Sequence, residues 1–448
     1  MRGPAALAVF LVGVASATYL PHVLRDNEGG FTVVHAGHDG DIIVADRNTL
    51  NTTSHQDEPM PVDKFVGSAE PMTLEFINNF SGGQLKAYIQ GLDFQGRIVF
   101  IRSDGSLYYP PSAGASSAPV EISNERIAID LPSRGGKIRT RLPIPVQSGR
   151  VYFSEGPLRF SMVKTPQGDG LVQPSVANAA DPSAETNWGF VEFTYTTQGV
   201  IYANISYVDF VGMILSMSLK AKNAARAQLT RGLRGGAVQS ICNDLGRQLP
   251  DGKWKPLCIV NRAGKPIRVL SPNIYTVMNP QHFQDYWRGY VDRVWQQFSN
   301  KDLTIDTQGS AGKVKCRVRG DQMMCDGDNR SYGKPSAKDI WGCDSGTFAK
   351  QTIDNNVHLA VIARLCAAFN RSTLLLAGGD VQPKLPATSY YGTDPTNKYS
   401  RLVHQHEVDG KGYAFSYDDV NPNGENASGS LSTAGPETLT IYVGEPPS

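Results

Sequence analysis

Short segments in which apolar and polar residues alternate dominate the chain from Met72 onward, and Gly, Pro, Asn and Ser separate them. Examples are residues 74–77, 86–89, 98–101, 127–129 and 151–153. A period of two residues places one face of each strand in a core and the other face outside it. Few windows in this part have helical periodicity. The pattern therefore predicts an antiparallel β-sandwich or barrel.

The pattern changes after Leu215, where helical windows become common. Asn279 and Pro280 are typical of a helix N-cap followed by proline at the first helical position. Apolar and aromatic residues then recur at helical spacing, namely Phe283, Trp287, Tyr290, Val291, Val294, Trp295 and Phe298. A second helix is predicted from about Asp354 to Phe369. An aromatic stripe of this kind either packs in a core or forms a sugar platform, and a core is the more frequent role.

Changes in composition divide the chain into five predicted parts. They are a signal peptide at 1–17, an N-terminal extension and linker at 18–63, a β-sandwich or barrel domain at 64–215, an α/β domain at 216–390 and C-terminal strands at 391–448. The tail becomes strand-like again from Tyr399 and ends in the apolar segment 439–443. We therefore expect the last part to rejoin the β domain.

The N-terminus has the pattern of a secretory signal. Arg2 precedes the apolar run 5–14, and residues 15–17 form an A-x-A cleavage site. The alternative, a membrane anchor, needs about 20 apolar residues, and the run is shorter than that. Potential glycosylation sequons begin at Asn51, Asn79, Asn204, Asn329, Asn370 and Asn426. We expect a secreted glycoprotein, extracellular or in a cell wall, with sequons on exposed loops.

Six cysteines all lie in the middle part of the chain, at positions 242, 258, 316, 325, 343 and 366. In an oxidising compartment an even number of cysteines can pair, and six allow fifteen connectivities. Sequence alone does not select one of these, and our working hypothesis is nearest-neighbour pairing. A zinc site is the alternative, but the chain contains no C-x-x-C pair.

The charge balance excludes several classes of partner. The formal net charge is +1 and no basic run stands out, so nothing indicates a nucleic acid or an anionic membrane as partner. A neutral polymer such as a polysaccharide fits this balance better. We expect a monomer.

Several catalytic motifs are absent from the sequence: H-E-x-x-H, G-x-S-x-G, the P-loop and G-x-G-x-x-G. His404 and His406 would place two imidazoles on one face of a strand, but a third metal ligand is not evident. We therefore expect no metal and no cofactor. Carboxylates remain as the candidate catalytic groups.

One predicted hairpin has an unusual polar face. Trp188–Thr196 forms the first strand, residues 197–199 form a three-residue loop with glycine in the left-handed position, and residues 200–206 form the return strand. This register sets Glu192 opposite Asn204 and Thr194 opposite Tyr202. The other face is apolar. A glutamate on a strand is more often a solvated surface residue, so spacing alone does not make Glu192 catalytic.

Asp209 follows this hairpin with the opposite parity. Simple alternation would bury its carboxylate without a partner, which is costly, so we predict a bulge or strand break between Ser206 and Asp209. The same register sets Val208 opposite Trp188 and Asp209 roughly 13 Å from Glu192 at the backbone. Carboxyl groups about 6.5–9.5 Å apart are typical of inverting glycosidases, and groups about 5–5.5 Å apart of retaining ones. The predicted geometry favours inversion.

Long segments of this chain resemble glycoside hydrolase family 64. The core segments are 191–195 and 201–212, and further segments are 150–154, 171–175 and 412–420. The resemblance runs from about Pro71 to Val443 and leaves residues 18–63 outside. Members of the family are inverting endo-β-1,3-glucanases, typically of the laminaripentaose-producing type. Their fold is related to thaumatin.

The resemblance implies a thaumatin-like β-sandwich or barrel, with a wide cleft between it and the disulfide-stapled α/β domain. It implies β-1,3-glucan as substrate, Glu192 as general acid and Asp209 as general base. It also implies sugar-binding positions at Thr194, Tyr202, Ser206, Asp418 and Asp419. This chain departs from the family pattern in having Tyr202 where tryptophan is usual, Ser206 where threonine is usual, and a hairpin longer by about one residue.

Two alternatives belong to other functional classes. A non-catalytic thaumatin-like protein would bind β-1,3-glucan through an acidic cleft, but it need not keep both Glu192 and Asp209. A structural wall protein would have repeats or segments rich in Ser and Thr, and this chain lacks them. The pair of carboxylates therefore favours a secreted β-1,3-glucanase.

Overall fold

A computed structural model describes residues 32–35, 69–114, 118–165, 168–247 and 252–447. The predicted signal peptide and most of the N-terminal extension lie outside these residues. The strands are β1 (Thr32–His35), β2 (Met72–Asn79), β3 (Leu85–Leu92), β4 (Ile98–Ile101), β5 (Leu107–Tyr108), β6 (Val120–Glu121), β7 (Ile129–Asp130), β8 (Lys137–Leu142), β9 (Val146–Glu155), β10 (Ser161–Thr165), β11 (Gly168–Gln173), β12 (Trp188–Tyr195), β13 (Val200–Ile205), β14 (Phe210–Val211), β15 (Leu215–Ala221), β16 (Gln228–Thr230), β17 (Cys258–Val260), β18 (Pro266–Leu270), β19 (Leu303–Asp306), β20 (Lys313–Arg319), β21 (Gln322–Cys325), β22 (Val381–Gln382), β23 (Leu431–Ala434) and β24 (Pro436–Gly444).

Helices are concentrated in the second half of the chain. They are α1 (Asn124–Ile127), α2 (Ala237–Arg247), α3 (Pro272–Met278), α4 (Arg288–Asn300), α5 (Ala337–Gly342), α6 (Asn356–Arg371) and α7 (Lys398–His406). Within the part of the chain that the structure describes, short 3₁₀ turns accompany them at Lys255–Leu257, Gly346–Phe348 and Ala387–Ser389. Among the described residues, no helix is both long and apolar enough to cross a membrane.

Two large sheets pack face to face. The first has the order β23-β13-β12-β9-β3-β4-β5, with β7 also paired to β3, and the second has the order β16-β15-β24-β2-β8. Alternate residues of β12, such as Val191 and Phe193, share one core with Phe76, Met217 and Ile441 of the second sheet. The mostly β architecture is confirmed. Neither sheet closes on itself within the described residues, so the barrel alternative is not found.

The second sheet is mixed rather than purely antiparallel, which corrects the sequence-based prediction. Strand β24 lies between β15 and β2, antiparallel to the first and parallel to the second. All of its neighbours are therefore distant in sequence. Leu439, Ile441 and Val443 are alternate residues of β24, so they share the face that packs in the core, and all three are fully buried.

Three smaller sheets lie outside this sandwich. Their orders are β1-β11-β10-β6, β14-β18-β17 and β21-β20-β19-β22. The β14-β18-β17 sheet links the end of the predicted catalytic hairpin to the helical part, because Phe210 of β14 pairs with Leu270 of β18. A second core lies on the outer face of the first sheet and contains Trp188, Phe190 and Phe210.

Helix boundaries differ from prediction in two places. Asn279 is the C-cap of α3, whose N-cap is Ser271 followed by Pro272, and the next helix begins only at Arg288. The cap signal at Asn279 and Pro280 was therefore assigned to the wrong helix end. Residues 127–129, predicted as one strand, contain the end of α1 and the start of β7. The second predicted helix is confirmed as α6.

The aromatic stripe of α4 packs in the core. Trp287, Tyr290, Trp295 and Phe298 are each at most 3% exposed and belong to the main hydrophobic cluster. Phe283, in the turn before the helix, is also buried. These rings have no face open to a ligand, so the sugar-platform alternative is wrong.

The C-terminal part is not made of strands alone. Residues 398–406, predicted to be strand-like, form α7, which Asn397 caps by accepting a hydrogen bond from the Ser400 amide. Tyr399, Leu402 and Val403 recur at helical spacing and are fully buried. Their pattern could have predicted the helix.

Nearest-neighbour pairing of the cysteines is confirmed. The disulfides are Cys242–Cys258, Cys316–Cys325 and Cys343–Cys366. The first joins α2 to β17, the second crosses the β20–β21 hairpin and the third joins the end of α5 to α6. All three therefore staple the predicted α/β portion.

Two of the sequons are not on exposed loops. Asn204 lies on β13 and Asn370 on α6, and their side chains are 1% and 0% exposed. A buried amide has no room for a glycan, so the expectation of glycosylation is wrong at these two positions. Asn329 is exposed, and Asn51 lies outside the described residues.

Candidate active site

The predicted hairpin forms with the predicted register. Glu192 of β12 pairs with Asn204 of β13, and Thr194 pairs with Tyr202. The loop is closed by a hydrogen bond from the Thr196 amide to the Val200 carbonyl. Gly199 in this loop has φ 76°, the left-handed conformation that a side chain disfavours.

A strand break precedes Asp209, as predicted. Strand β13 ends at Ile205, Ser206 makes an isolated bridge to Tyr413, and residues 207–209 are irregular. The pairing of β12 with β13 also stops at this point, so the predicted alignment of Val208 with Trp188 does not occur. Instead Trp188 contacts Phe210, with ring centroids 4.6 Å apart. The Asp209 carbonyl accepts a hydrogen bond from the Ser271 amide at the start of α3.

A row of polar residues crosses four neighbouring strands of the first sheet. Gln90 of β3 pairs with Arg150 of β9, Arg150 with Glu192 of β12, and Glu192 with Asn204 of β13. Directly opposite residues in a sheet share one face. Each of the four side chains is at most 9% exposed, and Gln173 of β11 covers the row and is 2% exposed.

Hydrogen bonds connect this row from end to end. Gln173 donates to Gln90 Oε1 at 2.7 Å, and Arg150 Nη1 donates to Gln173 Oε1 at 2.9 Å. Arg150 Nη2 and Nε both donate to Glu192 Oε1, at 3.1 and 3.3 Å. Asn204 Nδ2 donates to Glu192 Oε2 at 3.3 Å. The two carboxyl oxygens of Glu192 therefore have different partners.

Opposing effects act on the ionisation of Glu192. Burial raises its pKa, whereas the Arg150 charge and hydrogen bonds from Asn204 and Arg150 lower it, and the Asp209 charge raises it further. Burial prevails, and the pKa of Glu192 rises to about 7. A carboxyl group with this pKa can hold a proton near neutral pH and release it in a reaction.

A surface pocket lies next to the Arg150 end of this network. Its lining includes Arg150, Asp209, Trp188 and Phe190, together with residues 174–177. Arg150 thus contacts both the pocket and Glu192. Because the Asp209 charge acts on Glu192, the structure brings the two predicted catalytic carboxyl groups within electrostatic reach of each other.

The three predicted sugar-binding residues of the hairpin flank Glu192. Thr194 and Tyr202 form the next pair along the face of Glu192, and Ser206 lies two residues beyond Asn204 on the other side. Successive same-face positions on a strand are about 6.8 Å apart. The three side chains are 7 to 8% exposed.

Asp418 and Asp419 do not face a surface that a sugar can reach. Asp418 is fully buried, with Oδ1 accepting from Arg371 and Oδ2 accepting from the Ala414 amide and facing His404. Asp419 is 1% exposed and accepts from the Tyr413 hydroxyl. This geometry gives no support to the expectation that these two carboxylates bind sugar, because both accept hydrogen bonds inside the protein.

His404 instead belongs to a buried charge network. Its two ring nitrogens face Glu407 and Asp418, each at 2.9 Å. Burial lowers the pKa of His404, but the two carboxylates more than compensate and raise it well above its usual value. His406 faces Asp244, so the two imidazoles of this segment have separate partners.

The His404→Asn variant tests this network. A histidine whose pKa is raised in the folded state contributes stability below its unfolded pKa of about 6.5, and this contribution is lost as pH rises through its folded pKa. Breaking a buried ion pair costs about 3–5 kcal/mol, so we expect the variant to melt at a lower temperature than the wild-type protein at pH 6. Its melting temperature should also fall less steeply than that of the wild-type protein as the pH becomes alkaline. Thermal unfolding from pH 6 to 10 measures both. His406→Asn is the matched control on the same helix, because His406 has a single carboxylate partner, Asp244. Equal effects of both variants would contradict the network.

A family model described as β-1,3-glucanase, that of glycoside hydrolase family 64, matches residues 70–443. The chain belongs to glycoside hydrolase family 64. The resemblance inferred from the sequence motifs is thereby confirmed. The family 64 match begins just before β2.

Individual relatives agree with membership of family 64. A glucan endo-1,3-β-glucosidase of Cellulosimicrobium cellulans is 27% identical over 383 residues, covering 79% of this chain and 62% of that protein. A laminaripentaose-producing β-1,3-glucanase, solved in complex with laminaritetraose, is 25% identical with a TM-score of 0.73, covering 84% of this chain and 99% of that one. A family 64 domain from Clostridium beijerinckii shares the fold, at 21% identity and a TM-score of 0.65, covering 84% and 98%. This chain spans 62% of the length of the curated relative.

Sequence reasoning missed Arg150 and Gln173 as members of the hydrogen-bonded row around Glu192. Both lie in segments that carry the family resemblance, 150–154 and 171–175, but neither was given a role. The predicted hairpin register did place Asn204 beside Glu192. Arg150 and Gln173 approach Glu192 only because β9 lies next to β12 and β11 covers the row, which requires the order and stacking of strands.

Proposed function

We propose that this chain hydrolyses β-1,3-glucan at internal bonds, as an endo-acting β-1,3-glucanase. The observation that carries the proposal is the Glu192 carboxyl group, whose pKa is raised to about 7 and whose partner Arg150 lines a pocket together with Asp209. Membership of family 64 supports the same activity. So does the similarity to a β-1,3-glucanase solved with laminaritetraose.

In the proposed mechanism Glu192 is the general acid and Asp209 the general base. Glu192 gives its proton to the glycosidic oxygen as the bond from this oxygen to the anomeric carbon breaks. Asp209 takes a proton from a water molecule whose oxygen attacks the anomeric carbon from the opposite face. The two carboxyl groups exchange charge, since Glu192 becomes a carboxylate and Asp209 an acid. No metal or cofactor takes part in this scheme.

Sugar contacts are proposed for Thr194, Tyr202 and Ser206, which flank Glu192 on the same hairpin. A hydroxyl group both donates and accepts, as sugar hydroxyls require, and the ring of Tyr202 offers an apolar face. The buried Asp418 and Asp419 are left out of this set. Tyr202 and Ser206 stand where the family usually has tryptophan and threonine. We expect these differences to change the contacts with bound sugar units, and not which bond is cleaved.

The finer architecture is also part of the proposal. We propose a thaumatin-like arrangement with a wide cleft between the β-sandwich of residues 64–215 and the disulfide-stapled portion 216–390. Residues 391–448 then complete the sandwich, since β23 and β24 pair with strands of both large sheets. We also propose that the protein is secreted through a signal peptide at 1–17 and that it is a monomer.

The stereochemistry of the product tests the inverting mechanism. Attack from the face opposite the leaving group converts the β-linkage to an α-anomer. Proton NMR during the first minutes of laminarin hydrolysis should therefore show the α-anomer before mutarotation. A β-anomer would rule out inversion. Laminarin that binds without releasing any reducing sugar would instead identify the non-catalytic glucan-binding protein.

A further inference from the structure

Asn204 has an unusual position beside Glu192. Its side chain is 1% exposed, and Nδ2 donates to Glu192 Oε2, but Asn204 Oδ1 is buried without a hydrogen-bond partner. A buried carbonyl oxygen without a donor costs free energy, and such groups are uncommon in proteins. The amide can turn about its last side-chain bond and exchange its two ends. Oδ1 would then occupy the place next to Glu192 Oε2.

The two oxygens of Glu192 are suited to different tasks. Oε1 accepts two hydrogen bonds from the Arg150 guanidinium, which has only donors. A proton on Oε1 would meet these N–H groups, so the proton belongs on Oε2. A protonated Oε2 is a donor and needs an acceptor. Asn204 Oδ1 is the buried acceptor that lacks a donor.

We propose that Glu192 Oε2 is the oxygen that carries the catalytic proton, and that the Asn204 amide turns over to hold this oxygen in both of its protonation states. Nδ2 donates to the carboxylate, and Oδ1 accepts from the acid. The proposal rests on the proposed role of Glu192 as general acid, because a general acid must lose and regain its proton in every cycle. Asn204 is a positioning residue and acts through Glu192.

Other groups near Glu192 do not replace Asn204 in this role. The charged groups that act on this carboxyl group are Arg150 from β9, which lowers its pKa, and Asp209 from the segment after β13, which raises it. Arg150 is already fixed by Gln173, and Gln173 by Gln90. The hydrogen-bonded row is therefore rigid on the Oε1 side, and Asn204 is the partner that can adapt.

The carbonyl stretching frequency of protonated Glu192 tests the proposal without turnover. Infrared spectra with ¹³C-labelled glutamate, between pH 5 and 9, isolate this band, and Glu192→Gln identifies it by its loss. A carboxylic acid that donates a hydrogen bond absorbs at lower frequency than one that does not. We expect the low-frequency band in the wild-type protein and a higher frequency in Asn204→Leu, together with a loss in kcat of about tenfold or more and little change in KM. The same band in both proteins would overturn the proposal.

A second variant covers the case in which Asn204→Leu does not fold. Asn204→Asp keeps an acceptor and adds a negative charge, so the band should stay low and the alkaline limb of kcat/KM should move up by about one pH unit. An unmoved limb would also overturn the proposal. Asn78→Leu, which removes a buried amide on β2 far from this row, controls for lost stability. The infrared band is measured without substrate. If the protein hydrolyses no glucan, the proposed function fails, while the infrared result still tests the hydrogen bond between Glu192 and Asn204.

Discussion

The Glu192→Gln variant is expected to lose about 10³-fold or more of kcat on laminarin. Glutamine keeps the shape of the side chain and can still accept from Arg150, but it has no proton to give to the leaving oxygen. Removing a carboxyl group from this buried site should leave the melting temperature unchanged or raise it at neutral pH, because burial of the charge is what raises its pKa. Reducing-sugar release and thermal unfolding measure the two effects.

Glu75→Gln is the matched control for this variant. Glu75 lies on β2 with 8% exposure and pairs with Arg139, so it is a buried glutamate with an arginine partner outside the site. We expect full activity from it. Retained activity in Glu192→Gln, or an equal loss in the control, would contradict the role of Glu192 as the acid.

The Asp209→Asn variant is expected to lose about 10²- to 10⁴-fold of kcat, because water is no longer deprotonated as it attacks. A substrate with an activated leaving group separates this role from that of Glu192. The dinitrophenolate group of a dinitrophenyl laminari-oligoside leaves without being protonated. Glu192→Gln should therefore recover most of its rate on this substrate, and Asp209→Asn should not. Initial rates on laminarin and on this aryl glycoside, compared for both variants, provide the measurement.

Asp93→Asn is the control for the second variant. The Asp93 carboxylate is 1% exposed and pairs with Arg97 in the β3–β4 turn, away from the pocket. The Asp93→Asn variant should hydrolyse both laminarin and the aryl glycoside at the wild-type rate. Recovery of Asp209→Asn on the aryl glycoside, with Glu192→Gln remaining inactive, would reverse the two assignments.

Local patterns predicted the part of the site that a single hairpin builds. Loop length and the parity of apolar residues determine the pairing of Glu192 with Asn204, since a shift by one residue would turn every side chain to the other face. The strand break before Asp209 followed from the cost of burying an unpaired carboxylate. Both arguments use residues that are close in sequence.

Features that depend on distant segments were beyond these patterns. Arg150 contacts Glu192 because β9 pairs with β12. The sequence of neither segment predicts which strand it will pair with. Asn279 and Pro280 satisfy the rule for a helix start, yet Ser271 and Pro272 satisfy it as well, and packing decides between them. Likewise the acidic character of Asp418 was visible in the sequence, but its engagement by Arg371 and His404 was not.

The central position of β24 has a consequence for how the protein is made. Thr73 of β2 pairs with Thr438 of β24, 365 positions later in the chain. During synthesis, β2 and β15 emerge long before the strand that must lie between them, so the second sheet has a gap until residues 436–444 are available. The hairpin with Glu192 packs on this sheet through Val191 and Phe193. The candidate active site can thus become rigid only when almost the whole described chain is present, and truncation before β24 would leave two exposed strand edges open to aggregation.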